Sequence, residues 1–388
     1  MKVNFIMIKK FKKVYILDPG LQIKSGSNYD VVKKLSAFLK KEGCEIFILI
    51  SKNHKEDVIK SLTEKKIRVI PIFAVSPYNS LLFTKDKKKY FFMIKQTISD
   101  LNNVKKQYGK ADFSIWSVPM SPIQLISNLF VKVSKINIYN VELTPQNFSD
   151  LAIICYKKFK KKFLSRSDIL YLSRDDFTEK ILKNFLSIRM ERYPQLTDSY
   201  SKTYLKNIEK RFKVGIFGVK EMIQQGIFED IIKKLLNMEF RIFIQDPKGL
   251  VTNKFDAEIN ISFFKYEKKI SDIFQQIDFG IYYFNPIRYK LLVSGIVCEA
   301  ISFGLPIIVP KDNLASETQQ IYNCEMSFDW QNSDELFKKI NYFIKDFEVI
   351  KKISINASKV WNSKEGTEKY IQKLFKEKLT DFEKKYQN

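Results

Sequence analysis

YYFNPIRYKLLVSGIVCEAISFGLPIIVP, residues 282–310, is the stretch of this sequence that decides its fold. It predicts the end of a strand, an irregular loop, a helix opened by Ser294-Gly295, and a buried strand after Gly304 and Pro306. A Ser-Gly pair at a helix start leaves backbone N–H groups and the positive end of the helix dipole directed at one point. This arrangement suits a phosphate group. Ile296, the next residue, is predicted to contribute its backbone to the same site.

Glu299 follows Gly295 by four residues, about one turn of the same predicted helix. Because a carboxylate is repelled by phosphate, its position is best explained if it accepts hydrogen bonds from hydroxyl groups, such as those of a ribose. Together these residues indicate a nucleoside diphosphate site. Taken singly, Ser294-Gly295 or Glu299 is equally typical of a phosphate-free strand–helix–strand unit.

The ordered run of these elements resembles the donor-binding segment of GT-B glycosyltransferases, specifically the retaining enzymes of glycosyltransferase family 4 (glycosyl transferases group 1). A tyrosine-rich loop, a Ser-Gly turn, Glu-Ala and Gly-x-Pro follow one another in the same order. The resemblance implies an α/β protein of two Rossmann-like domains, with a cleft between them and a C-terminal helix that crosses back. It also implies transfer of a sugar, with retention, from a nucleoside diphosphate sugar that serves as the donor substrate.

Short apolar strands that alternate with helical stretches support two parallel sheets covered on both faces. In the first half the predicted strands are Val14–Asp18, Glu45–Ile50, Ile67–Phe73, Asp112–Val118, Ile136–Val141 and Asp168–Ser173. In the second half they are Lys213–Gly218, Phe240–Gln245, Ala257–Phe264, Asp278–Phe284 and Leu305–Pro310.

The polar segment Glu191–Tyr204, which contains a proline, interrupts this alternation and is the best candidate for an interdomain linker. The predicted parts are an acceptor-side domain (1–192), a linker (193–206), a donor nucleotide-sugar domain (207–362) and a C-terminal helix (363–388) that is highly charged from Lys364 to Tyr386.

The loop LDPGLQIKSGSNYD, residues 17–30, stands at the first strand-to-helix junction. Gly26 permits a close backbone approach, and Ser25, Ser27 and Asn28 offer short polar contacts. By resemblance, this loop approaches the donor phosphates or the acceptor. A lone glycine loop is also typical of a tight connection.

GIFGVKEMIQQG, residues 215–226, matches the family segment in which a strand leads to a glycine, a basic residue and then a Lys-Gly pair. Gly218 and Lys220 fit this pattern, but Gln225-Gly226 stands where Lys-Gly is expected. Because one cation is missing, Arg288 is the expected substitute on the diphosphate, together with Lys290. Glu299, Lys220 and Arg288 are therefore the predicted catalytic residues.

A second departure lies eight residues before Glu299, where Leu291 replaces a glutamate that the family often uses at the transferred sugar. The identity of the transferred sugar is therefore not predicted. The departure also keeps a second hypothesis, a catalytically silent GT-B-like scaffold that associates with membrane or nucleic acid.

Composition and motifs limit the other functions. With 388 residues, 45% hydrophobic and 28% charged, the chain is expected to form two globular domains. No apolar run reaches the roughly 20 residues that span a bilayer, which favours a cytoplasmic protein. No Asp-x-Asp element or metal-ligand spacing occurs, so neither a metal nor another cofactor is expected. The only histidine, His54, is predicted at the surface, and the four cysteines are predicted as buried free thiols.

The net charge of +24 comes partly from three lysine clusters with aromatic neighbours, at residues 9–13, 85–89 and 157–162. Such clusters fit an anionic membrane surface and, less well, nucleic acid, for which no binding motif is present. Solvated helix faces are the alternative explanation. The preferred interpretation is a protein at the inner face of the cytoplasmic membrane, with a cell-envelope glycan or lipid-linked acceptor.

Overall fold

The structure is a computed structural model of the full chain. It describes residues 13–24, 26–76, 86–142, 150–188, 190–198, 200, 211–246, 249–255, 258–265, 270–285, 290 and 294–375. The chain divides into two compact units. Unit 1 comprises Met1–Leu196 and Thr367–Asn388, and unit 2 comprises Thr197–Gly366.

Unit 1 is built on a parallel sheet of seven strands. They are β1 (Lys13–Asp18), β2 (Glu45–Ser51), β3 (Ile67–Phe73), β4 (Ala111–Trp116), β5 (Ser134–Val141), β6 (Ile169–Ser173) and β7 (Glu191–Arg192). Their order is β3-β2-β1-β4-β5-β6-β7, and every pairing is parallel. The helices are α1 (Ser27–Lys41), α2 (Glu56–Leu62), α3 (Lys87–Tyr108), α4 (Pro122–Phe130), α5 (Asp150–Leu164) and α6 (Asp176–Leu186).

Unit 2 repeats this arrangement with six parallel strands in the order β10-β9-β8-β11-β12-β13. They are β8 (Lys213–Phe217), β9 (Arg241–Gln245), β10 (Ile261–Phe264), β11 (Phe279–Tyr282), β12 (Ile307–Pro310) and β13 (Ser327–Phe328). The helices are α7 (Val219–Gln224), α8 (Phe228–Asn237), α9 (Ile270–Phe274), α10 (Gly295–Phe303), α11 (Leu314–Ile321), α12 (Ser333–Lys345) and α13 (Phe347–Lys364), and α14 (Thr367–Lys373) follows in unit 1.

The two sheets confirm the predicted α/β class. The inner strands are almost fully buried because helices cover both faces, so their apolar residues form continuous runs, whereas the edge strands β3, β7 and β10 are more exposed. In unit 2, for example, Ile216 and Phe217 are neighbours in β8, yet they belong to two different core clusters.

The C-terminal segment packs into the core of unit 1, as expected for a helix that crosses back. Tyr370 and Phe375 join this core, where their rings meet Tyr193 and Phe113 at centroid distances of 5.4 and 5.5 Å. The helix begins at Thr367 and not at Lys364, because Gly366 has a φ of 103° that interrupts the helical backbone.

The segment predicted as a linker is partly structured. Glu191–Arg192 forms the edge strand β7, which pairs with Leu172 and Ser173. Tyr193 is buried in the unit 1 core, whereas the Thr197 hydroxyl accepts a hydrogen bond from Trp361 Nε1 in unit 2 (3.0 Å). The boundary between the units therefore falls at residues 196 and 197.

Two of the basic clusters lie at opposite edges of the unit 1 sheet. Lys87–Lys89 open α3 after strand β3, at the carboxyl edge, whereas residues 157–162 close α5 before strand β6, at the amino edge. Of the cluster at 9–13, only Lys13 is described, and it starts β1 at the amino edge. Residues 9–12 and Lys85 lie outside the described residues. Within the described ranges, no helix is long and apolar enough to cross a membrane.

Candidate functional site

The sheet order creates one topological switch point in each unit, where neighbouring strands lead to helices on opposite faces. In unit 1 it lies between β1 and β4, and in unit 2 between β8 and β11. Ligands of open α/β sheets bind in the crevice at the carboxyl ends of such strands. The predicted site residues follow these ends in both units.

In unit 2, α10 begins at the predicted Ser-Gly pair. Ser294 is the N-cap residue, and its Oγ accepts a hydrogen bond from Val297 N at 3.4 Å. The first intrahelical bond runs from Cys298 N to Ser294 O (3.0 Å), so the N–H groups of Gly295 and Ile296 precede the helical ladder. A Cβ added at Gly295 would have no neighbour within 4 Å. The start of the helix is therefore open to an anion.

Gly218 directly follows β8, the strand next to β11, and only glycine fits there. It has a φ of 83°, and an added Cβ would stand 1.8 Å from the Tyr283 carbonyl oxygen. The backbones meet so closely because Tyr283 N donates to Phe217 O at 3.0 Å. Lys220 lies on the first turn of α7 and is exposed. Gly218 and Ser294 thus follow the carboxyl ends of two adjacent strands.

Glu299 is buried on α10, with 7% of its surface exposed. Its carboxylate accepts hydrogen bonds from Asp198 N (3.3 Å to Oε2) and from the Tyr200 hydroxyl (3.1 Å). The Tyr200 ring in turn meets Phe303 edge-on, with 5.0 Å between centroids. Glu299 therefore fastens the start of unit 2 to α10. The predicted contact between Glu299 and a ribose remains a prediction.

A polar network fixes α10 against α13. The Ser358 hydroxyl and Asn362 Nδ2 both donate to Ser302 O, at 2.6 and 2.8 Å. Ser302 Oγ donates to Asp198 O at 2.9 Å. Because Ser302 and Ser358 are buried and Asn362 is half-buried, the network holds the helix in one position relative to its neighbours.

At the unit 1 switch point, the structure adds a residue that the sequence analysis did not single out. Asp18 is fully buried at the end of β1. Its Oδ1 accepts from Gly20 N (3.0 Å) and Asn28 Nδ2 (3.1 Å), and its Oδ2 accepts from Ser117 Oγ (2.8 Å). Ser117 directly follows β4, so this hydrogen bond joins the carboxyl end of β1 to that of β4.

Burial raises the pKa of Asp18 to about 6, although its hydrogen bonds act in the opposite direction. The signal in the sequence was an acidic residue that ends an apolar strand, VYILD. Asn28, a predicted site residue, thus has a defined partner, and Gly26 precedes α1 with a φ of 85°.

Three of the predicted positions, Ser25, Arg288 and Leu291, lie outside the described residues, as does the side chain of Ser27. Lys290 is described and exposed. The role of Arg288 as compensating cation therefore remains a prediction. Within the part of the chain that the structure describes, no group of three His, Cys, Asp or Glu residues could hold a metal ion.

Comparisons with known proteins place these observations in a fold family. No protein-family profile and no curated protein sequence matches the chain. Among solved structures, sucrose-phosphate synthase from Thermosynechococcus elongatus is similar, with a TM-score of 0.67 and 12% identity over 97% of this chain and 99% of that one.

The similarity to two further structures extends over nearly the whole length of each and over most of this chain. HepE from Anabaena, solved in complex with UDP-glucose, has a TM-score of 0.64 and 13% identity, with 95% of this chain and 99% of that chain covered. WaaG, a glycosyltransferase involved in lipopolysaccharide biosynthesis, has a TM-score of 0.60 and 12% identity, with 94% and 100% covered. Together with two parallel sheets and a C-terminal helix that returns to the first unit, these similarities show that the chain has the GT-B fold.

Proposed function

We propose that this protein is a glycosyltransferase that moves a sugar from a nucleoside diphosphate sugar to an acceptor hydroxyl. The observation that carries the proposal is the open start of α10 at Ser294-Gly295, in the segment that follows β11, the neighbour of β8 and Gly218 in the sheet. A helix N-terminus at a switch point supplies N–H donors and a positive dipole end to the diphosphate of the donor. The GT-B fold supports this assignment by analogy.

The residues of unit 2 have distinct roles in this proposal. The N–H groups of Gly295 and Ile296 and the ammonium of Lys220 stabilise the charge that develops on the leaving diphosphate. Glu299 accepts hydrogen bonds from the ribose hydroxyls. Arg288 supplies the cation that is missing at Gln225. The leaving diphosphate oxygen assists deprotonation of the incoming hydroxyl on the same face, so the transfer proceeds with retention and without a metal or cofactor.

For the donor and the acceptor, we infer chemistry close to that of the structural neighbours. HepE binds UDP-glucose, so UDP is the first nucleotide to test. WaaG serves lipopolysaccharide biosynthesis, which agrees with a cell-envelope glycan or lipid-linked acceptor. Both suit a cytoplasmic protein that attaches peripherally to the inner face of the membrane.

An exposed face of α3 supports this attachment. Phe91 and Phe92 are 50% and 57% exposed, and Lys88 and Lys95 lie within one turn of both. Aromatic side chains flanked by lysines are typical of helices that lie on an anionic membrane surface.

Calorimetric titration with UDP tests the donor site. We expect the wild type to bind and Gly295→Ala to bind at least tenfold more weakly, because the added methyl group occupies the space where phosphate approaches. The variant should fold normally, since that methyl group meets no protein atom within 4 Å. Transfer of labelled sugar from UDP-glucose, with and without EDTA, then tests turnover and metal independence. If the wild type binds no nucleotide in a screen of nucleoside diphosphates, the silent scaffold is the correct function.

A further inference from the structure

A basic cavity of about 370 Å³ lies at the amino edge of the unit 1 sheet. Its walls come from the residues that precede or begin β4, β5 and β6. They are Lys110, Lys132, Ser134, Lys135, Ser165, Arg166, Ser167 and Asp168. Because parallel strands all start at one edge, the cavity lies on the opposite edge of the sheet from Asp18 and the α1 N-terminus. It is therefore separate from the switch point of unit 1.

The Arg166–Asp168 pair forms a rigid part of this cavity. The guanidinium donates to both carboxylate oxygens through Nε and Nη2, and its Nη1 donates to Asn128 O at 3.2 Å. The Arg166 side chain is only 12% exposed. Burial acts to raise the pKa of Asp168, but hydrogen bonds and charge from Arg166, with Lys132, hold it below its ordinary value. The pair is thus ionised and fixed. These three bonds use three of the five guanidinium N–H groups.

A buried polar cluster lies behind Ser134, which lines the cavity. Ser134 Oγ is 2.8 Å from Ser114 Oγ and 3.0 Å from Asn137 Oδ1. Asn137 Nδ2 is fully buried and has no hydrogen-bond partner among the described residues. Buried donors without a partner are rare in folded proteins. Asn137 does not itself line the cavity, so this donor belongs to the buried polar cluster behind the cavity wall.

The charges of the cavity favour an anion. Four cations line it, from three lysines and Arg166, against the single carboxylate of Asp168. Lys132 Nζ lies 3.6 Å from Asp168 Oδ2, and Lys135 pairs with Asp112 at 2.9 Å. Within the described ranges Lys110 has no carboxylate partner. The lysine run at 157–162 closes α5 directly before Ser165, so it raises the positive potential at the same edge.

We propose that this cavity is a second anion site, which binds the phosphate group of a soluble phosphate ester or of a lipid headgroup. The planar guanidinium of Arg166, preorganised by Asp168, offers its remaining N–H groups to phosphate oxygens. Lys110 and Lys132 neutralise the phosphate charge. The proposal does not depend on glycosyl transfer, because the cavity residues belong to unit 1, whereas the proposed donor residues Lys220, Ser294 and Glu299 belong to unit 2.

The test compares two variants that lose the same charge. Lys110→Gln with Lys132→Gln removes two cations from the cavity, whereas Lys352→Gln with Lys359→Gln removes two from exposed positions on α13 in unit 2. Calorimetric titration with inorganic phosphate and with pyrophosphate is done with and without excess UDP, which blocks the α10 site. Flotation with phosphatidylcholine vesicles, with or without phosphatidic acid, separates a lipid headgroup from a soluble phosphate.

We expect phosphate and pyrophosphate to bind the wild type and the Lys352/Lys359 variant alike, and the Lys110/Lys132 variant at least tenfold more weakly, with UDP present. Loss of vesicle binding in the cavity variant alone assigns the site to a lipid headgroup, and unchanged vesicle binding assigns it to a soluble ester. Binding that UDP abolishes, equal losses in both variants, or no binding by the wild type overturns the proposal. Circular dichroism confirms that both variants are folded, and Lys110→Gln alone provides a milder variant if the double one unfolds.

Discussion

The Tyr200 hydroxyl donates a hydrogen bond to Glu299 Oε2 at 3.1 Å and thereby ties the beginning of unit 2 to the helix that carries its predicted donor residues. Burial and the neighbouring Glu299 and Asp198 carboxylates raise the pKa of Tyr200 above its ordinary value, so the hydroxyl keeps its proton at physiological pH. The carboxylate thus has a structural contact within the protein in addition to the ribose contact that we propose.

These two roles of Glu299 can be separated with a pair of variants. We expect Glu299→Ala to lower both thermal stability and UDP affinity, because it removes the acceptor for Tyr200 and for the ribose. Tyr200→Phe keeps the ring on Phe303 and removes only the hydroxyl, so it should cost about 1.5 to 3 kcal/mol of unfolding free energy. Its UDP affinity should stay within about twofold of wild type.

Calorimetry with UDP and urea unfolding measure the two effects. Normal UDP binding by Glu299→Ala would show that the carboxylate serves the fold alone.

Substitution of Gly218 should unfold unit 2. An alanine Cβ would overlap the Tyr283 carbonyl oxygen at 1.8 Å, in a backbone that cannot move without breaking the β8–β11 pairing. Gly226→Ala is the matched control, because its φ of 69° is also left-handed but no atom lies within 4 Å of the added Cβ.

The control should lose only about 1 to 2 kcal/mol, the cost of a left-handed alanine. Urea unfolding followed by tryptophan fluorescence measures both variants. Similar losses in the two would mean that the close approach at Tyr283 is not rigid.

Lys220→Met should reduce the rate of donor turnover tenfold or more, if the ammonium makes a charge-assisted contact of about 1.5 to 3 kcal/mol with the leaving diphosphate. Arg288→Met should be at least as severe, because it is expected to replace the cation that is missing at Gln225. Lys359→Met, at an exposed position on α13, removes the same charge and serves as control.

Steady-state kinetics with UDP-glucose distinguishes these variants. Near-normal rates for Arg288→Met would mean that the compensating cation is elsewhere in the site.

Asp18 should make the stability of unit 1 depend on pH. Its pKa rises from 3.8 in the unfolded chain to about 6 in the folded protein. Between these values the unfolded chain loses the proton while the folded protein keeps it, so stability falls as pH rises. The difference corresponds to about 3 kcal/mol, fully present below pH 3.8 and lost above about 6.

Asp18→Asn cannot titrate at this position. We therefore expect the unfolding free energy of the wild type to fall relative to that of the variant as the pH rises from 3.8 to about 6. Urea unfolding at several pH values measures it. Ser117→Ala removes a hydrogen bond that lowers the pKa and should therefore move the window to higher pH. A constant difference between wild type and Asp18→Asn across the window would contradict the assignment.

The exposed aromatic pair on α3 should govern membrane attachment. We expect Phe91→Ser with Phe92→Ser to weaken sedimentation with anionic vesicles at least several-fold, because it removes the apolar anchor and leaves the lysines in place. Ile321→Ser, at an exposed position on α11, is the matched control.

Charge reversal at Lys157, Lys158 and Lys160 to Lys162 tests the other edge of the sheet, where these lysines lie. Equal binding of all variants to neutral and anionic vesicles, or no binding at all, would exclude this mode of attachment.

Much of the fold was predictable because the strands of a covered parallel sheet are apolar along their whole length. Runs such as Val14–Asp18 and Leu305–Pro310 could therefore be recognised as strands from the sequence. The strands β7 (Glu191–Arg192) and β13 (Ser327–Phe328) were not predicted, because two residues carry no hydrophobic pattern and each pairs only through its backbone. Their existence depends on a neighbouring strand that is already in place.

The sequence by itself determined where α10 begins, since a cap and a helix start are local properties of Ser294-Gly295. It also identified Gly218 as a candidate site residue. It did not show why a side chain is excluded there, because the Tyr283 carbonyl lies far along the chain and is brought close only by the pairing of β8 with β11. Ser117, which donates to Asp18, and Tyr200, which donates to Glu299, each lie about a hundred residues away along the chain from the carboxylate they contact. Only the tertiary structure decided these contacts, because burial and hydrogen bonding between distant residues depend on how the strands and helices pack.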